Sequence, residues 1–110
     1  MTKIVIQKSK DGSYQGFYCM GHAEYAKNQN GDVLCAAIST LTTCTINALE
    51  QLGGETLSYA VNEETGFLKC DFKSVLQEKS AFLVDAMVFS LESLAKEYGN
   101  KYLQIKFEEV

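Results

Sequence analysis

Two side chains able to do covalent and proton-transfer chemistry stand thirteen residues apart in the stretch GHAEYAKNQNGDVLCAAIS, residues 21–39. They are His22, the only histidine in the chain, and Cys35. A cysteine becomes a hydrolytic nucleophile when a base removes the thiol proton and an acid later protonates the leaving amine, and one imidazole can do both. Cys35 follows Gly31-Asp32 at the point where a polar stretch gives way to an apolar, alanine-rich run. Asp32 is the natural N-cap of a helix starting there, its carboxylate accepting from free first-turn amides. Cys35 then lies in that first turn, where the partial positive charge favours a thiolate over a thiol and backbone amides could face an oxyanion. Asp32 could alternatively orient His22 in the manner of a triad acid, and the sequence does not assign it one of the two jobs. The bland alternative makes His22 an ordinary loop residue and Cys35 a buried thiol.

These residues need elements to hold them. KIVIQK (3–8) and YQGFYCM (14–20) are β-like and flank Asp11-Gly12, a hairpin signal because both central residues of such a turn can take positive φ. The second strand would end near Met20, with Gly21 turning the chain sharply and His22 at the sheet end. LSYAVN (57–62) and FLKCDF (67–72) form a second hairpin across EETG, and KYLQIKF (101–107) is a last strand with Leu103, Ile105 and Phe107 on one side.

Two helices lie between. From Ile38 to Ile46 six of nine residues are β-branched, which propensity alone assigns to a strand. The period argues for helix: Leu34, Ile38, Leu41, Thr45, Ala48 and Leu52 step by three and four, and Gly53-Gly54 closes the run. The second helix begins within SVLQEKS, carries Leu83, Met87, Leu91, Leu94 and Tyr98 on its core stripe, and stops at Gly99. The order β-β-α-β-β-α-β predicts a single α+β domain over residues 1–110, one mostly antiparallel mixed sheet with two helices packed on it. Residues 23–31 show little apolar content and no period, so this loop is expected to be mobile and to close over an extended peptide.

Composition narrows the function classes. The chain has 110 residues, 46% hydrophobic and 22% charged, as expected for a globular domain. No apolar run approaches the roughly 18 residues of a membrane span, and MTKIVIQKSK lacks a signal-peptide layout, which predicts a cytoplasmic protein without membrane contact. All ten basic residues are lysines and the net charge is −4, a poor basis for nucleic-acid binding and a better one for a basic partner. There is no Cys-x-x-Cys and only one histidine, so neither a metal site nor a cofactor is expected. Cys19, Cys44 and Cys70 sit in apolar or β-like surroundings and read as buried small hydrophobes, reduced like Cys35.

GHAEYA, a following Gly-Asp, and VLCAAIS closely resemble the signature of the ribosomal-processing cysteine protease (Prp) family, in which Gly-His-Ala and Asp-hydrophobic-Val/Leu-Cys-Ala-Ala-x-Ser mark the site. The likeness runs nearly end to end and includes NALEQL, the hairpin around ETG, and the closing helix and strand. The AKNQNGD segment makes the His-to-Cys loop slightly longer than the family pattern. The resemblance implies a bacterial cysteine endopeptidase, homodimeric, that removes the N-terminal extension of large ribosomal subunit protein twenty-seven and so supports ribosome maturation. It places the nucleophile on Cys35 and the general base on His22, with Asp32 and Ser39 in supporting positions. Gly21, Ala23, Tyr25 and Ala36, which flank the pair, are expected to contact substrate. Two other readings compete: a non-enzymatic assembly module holding a basic ribosomal protein, and a thiol redox sensor at Cys35.

Overall fold

The computed structural model describes residues 1–24 and 32–110. Tyr25 and most of the loop expected to close over substrate lie outside the described residues. Seven elements follow in the expected order: β1 (Thr2–Lys8), β2 (Tyr14–Met20), α1 (Val33–Gln51), β3 (Leu57–Asn62), β4 (Phe67–Phe72), α2 (Glu78–Tyr98) and β5 (Leu103–Glu109). The strands form one sheet in the order β3-β4-β2-β1-β5. Every pairing is antiparallel except that of β1 with β5.

The register explains where the core sits. Directly paired residues share a sheet face, so Val61, Leu68, Cys19, Ile4 and Ile105 form one row across the sheet. Tyr59, Cys70, Phe17, Ile6 and Phe107 form the next. Both rows are fully or nearly fully buried at their centres, where Ile4, Ile6, Phe17 and Cys70 show no exposure. At the edges they come out into solvent: Tyr59 is 52% exposed, Val61 54% and Phe107 51%. Two helices are too narrow to cover five strands, and the uncovered apolar row on β3 borders the cleft described below.

Several expectations need correction. In the first hairpin only Gly12 takes positive φ, at 91°, while Asp11 does not. The Gly12 amide donates to Ser9 O (2.9 Å), and the Asp11 carboxylate accepts from the Ser13 amide (3.0 Å) and the Ser9 hydroxyl. Asp11 therefore serves the turn through its side chain, and the ladder slips at Gln7/Lys8 to absorb the longer loop.

The buried stripe of α1 runs through Leu34, Ile38, Thr42, Ile46 and Leu49, whereas Leu52 is 75% exposed. Thr42 can be buried because its hydroxyl donates to Ile38 O at 2.9 Å. Leu41, Thr45 and Ala48 are only half-buried. On α2, Val84 and Val88 join Met87 and Leu91 in the core, while Leu83, Leu94 and Tyr98 are half-buried. Cys44 is exposed rather than buried. α1 is long and apolar enough to cross a membrane by length and composition, although Ser39, Thr40, Thr42, Thr43, Thr45 and Asn47 interrupt its apolar run. Here it covers the sheet, and its apolar content is that of a helix with one face on strands and a flank near α2.

Candidate active site

Gly21 ends β2 at φ 86°, and a Cβ placed there would lie 2.5 Å from Met1 O. Both the left-handed backbone and the close approach of the N-terminal strand demand glycine. Its carbonyl accepts from the Thr2 hydroxyl (3.1 Å), tying the strand end to β1. This fixes where His22 emerges, exposed, at the sheet end.

Asp32 caps α1 with an extended backbone, its Oδ1 accepting from the amides of Leu34 (2.9 Å) and Cys35 (3.1 Å). The Ala36 amide donates to Asp32 O at 3.0 Å. Cys35 thus lies in the first turn as expected, half-buried. The same bonds correct a second expectation. Leu34, Cys35 and Ala36 already spend their amides on Asp32, so these first-turn groups do not stand open to an oxyanion. The amide that does face the sulfur comes from across the site: Ala23 N–H donates to Cys35 Sγ at 3.1 Å.

His22 and Cys35 line one cleft of about 410 Å³. Its α1 wall carries Cys35, Ser39, Thr42 and Thr43, spaced along one helix flank. Its opposite wall carries Val61, Phe67 and Leu68, and Glu63 and Gly66 of the β3–β4 turn stand near the imidazole end. The cleft is therefore a trough running away from Cys35 between the helix and the uncovered edge of the sheet, apolar on its strand side. His22 Nε2 is 2.9 Å from Glu64 O.

The remaining candidates separate. Ser39 lies one turn beyond Cys35 in the trough, and Gly21 lines it. Ala23 is fully buried and does not line the cleft, so the expected contact with substrate is not open to it; it reaches the site through its amide on Cys35 Sγ. Ala36 points elsewhere, into a groove between the helices with Val33, Ala37 and Phe89. The Glu64 carbonyl and the β3–β4 turn are components that residue types did not flag. The one available signal was Gly66 in EETG, which read only as a hairpin glycine. Among the described residues no group of metal-binding side chains clusters.

Burial separates Cys19 and Cys70 from Cys35. It pushes Cys19 and Cys70 up to about 12, with Asp71 and Glu50 adding to the effect at Cys70.

Comparison with known proteins gives the family. A family model described as cysteine protease Prp matches residues 1–104. The ribosomal processing cysteine protease Prp of Bacillus subtilis is 26% identical over 102 residues, covering 89% of this chain and 90% of that protein. The fold matches that of an essential ribosomal processing protease Prp from S. aureus, solved with a covalently linked product peptide, at a TM-score of 0.89. Identity there is 19%, with 98% of this chain and 100% of that one covered. A Streptococcus mutans protein matches at a TM-score of 0.85 and 27% identity, covering 100% of this chain and 96% of that one. The chain belongs to the cysteine protease Prp family.

Proposed function

We propose that this chain is a bacterial, cytoplasmic endopeptidase that removes the N-terminal extension of a ribosomal protein, large ribosomal subunit protein twenty-seven, through a Cys35–His22 dyad. The observation that carries the proposal is the shared cleft: the only imidazole and a first-turn cysteine reach it from two elements, with a backbone donor already on the sulfur. Cys35 Sγ attacks the scissile carbonyl carbon as His22 takes the thiol proton. Collapse of the tetrahedral adduct breaks the C–N bond, and His22 delivers that proton to the departing amine. Water, deprotonated by His22, then cleaves the thioester and frees the acid product.

Asp32 supports the dyad by ordering the first turn. Gly21 and Ser39 meet the substrate, the Ala23 amide holds the Cys35 sulfur, and the apolar strand wall receives the substrate's side chains. The ribosomal assignment is supported by the name of the Bacillus subtilis relative and by an S. aureus homologue solved with a substrate peptide. A net charge of −4 suits a basic substrate.

Homodimerisation has its own support, an apolar outer surface on the helices. Phe82 and Phe89 of α2 are 71% and 73% exposed, and Phe89 flanks the inter-helix groove. A seven-residue spacing keeps both on one side of α2.

The test is incubation with the extended ribosomal protein from the same organism, read by mass. One cut within the extension, lost in Cys35→Ala and in His22→Ala, is expected. An uncut substrate, or cleavage persisting in Cys35→Ala, would refute the assignment.

A further inference from the structure

We infer that the β3–β4 turn is the orienting partner of His22, with the Glu64 carbonyl in the place a carboxylate holds in a triad. The inference rests on His22 acting as the base of Cys35. A carbonyl oxygen only accepts, so the nitrogen 2.9 Å from Glu64 O must carry the proton in the neutral ring. That nitrogen is Nε2, and Nδ1 is left as the basic one. Cys35 therefore gives its proton to Nδ1. In the imidazolium the Nε2–H bond to Glu64 persists, so the ring keeps one orientation through the proton transfer.

The turn is built to hold that carbonyl still. Asn62 Oδ1 accepts from the amides of Glu64 (3.1 Å) and Thr65 (3.4 Å), closing an Asx turn around the residue. Gly66 has φ 68°, and a Cβ on it would lie 2.6 Å from Gly21 O and 3.2 Å from His22 Cε1. The turn thus packs onto the Gly21-His22 corner with room for glycine alone. His22 is exposed, so burial does not set its ring orientation.

Because the chain has one histidine, nitrogen NMR reports this ring without assignment ambiguity. In 15N-labelled Cys35→Ala protein at a pH where the ring is neutral, we expect a single Nε2–H tautomer. Its two ring nitrogens should show the well-separated 15N shifts of one fixed tautomer. Averaged ring 15N shifts, as in a free imidazole exchanging between tautomers, would overturn the inference. In protein retaining Cys35, Asn62→Ala should slow thiol alkylation about tenfold, the loss expected from one hydrogen bond to a charged group. Asn62→Asp, which keeps the Asx turn, should restore the rate, and an Asn62→Ala rate equal to that of the parent would also overturn the inference. The two failures are separable: alkylation unchanged by His22→Ala overturns the base role itself, whereas the tautomer result bears on orientation.

Discussion

At the scale of single residues, four cysteines that look alike in sequence divide by surroundings. Cys19 and Cys70 are shut in the sheet, Cys44 faces solvent, and Cys35 sits under the Ala23 amide. Iodoacetamide on native protein near pH 8 should label Cys35 and Cys44 and spare Cys19 and Cys70 until urea is added; peptide mass mapping checks this. Only the Cys35 rate should change in His22→Ala. The buried pair also gives a pH dependence with a definite sign. In the unfolded chain these thiols ionise near the ordinary 9.0, but in the fold near 12. Between those values the unfolded chain has released protons that the folded one keeps, so stability falls as pH rises through that window. Urea midpoints should therefore fall less steeply with alkaline pH in the Cys19→Ala/Cys70→Ala double variant. Asp32 offers a third test. Asp32→Ala should cost about 0.5–2 kcal/mol through the lost cap, whereas Asp32→Asn keeps an acceptor and most of the stability. Residue types sufficed to single out His22 and Cys35, because few side chains do this chemistry and the chain has one imidazole. They could not reveal the Glu64 contact, since a backbone carbonyl carries no residue-type signal and lies 42 positions from the ring it holds.

At the scale of elements, periodicity was a better guide than propensity. The β-branched run 38–46 is helical because its apolar residues recur at helical spacing and bury against strands, while threonine hydroxyls at 42 and 45 bond back to the preceding turn. Spacing left the exact face open. A stripe counted through Leu41, Thr45 and Leu52 drifts from the sheet-facing side toward the neighbouring helix, since α1 has two apolar flanks and a one-sided count cannot tell them apart. The turns show the same limit. Asp11-Gly12 and EETG both announced hairpins, yet only the second packs against His22. Glycine substitutions should expose that difference. At Gly12, φ is 91° and no atom would meet a Cβ within 4 Å, so Gly12→Ala should cost about 1–2 kcal/mol of strain and leave cleavage unchanged. At Gly66 the strain is joined by collision with Gly21 O and the His22 ring. Gly66→Ala should lose more stability and also slow cleavage, as measured by urea titration and by product mass under single-turnover conditions. Equal effects at the two glycines on both readouts would show that the β3–β4 turn does not position the imidazole.

At the scale of the whole molecule, the two faces of α1 have different duties. One flank walls the trough with Cys35, Ser39 and Thr43; the other, with Val33, Ala36 and Ala37, opens onto the groove flanked by Phe89. Two phenylalanines more than 70% exposed on one helix side are a cost in water that a partner surface would remove. If that partner is a second copy, light scattering on the 12.2 kDa chain should give about twice its mass. Phe89→Glu would then bury a charge at the contact, and loss of a large aromatic anchor of about 2 kcal/mol or more weakens association by roughly thirtyfold. Because the groove and the trough lie on opposite flanks of α1, the dissociated variant should keep the Cys35 alkylation rate of the parent. Unchanged mass in Phe89→Glu would remove this face as the dimer contact. A monomer in which Cys35 labelling also collapses would show that the two flanks are coupled through the first turn of α1, where Asp32 holds the amides of Leu34, Cys35 and Ala36.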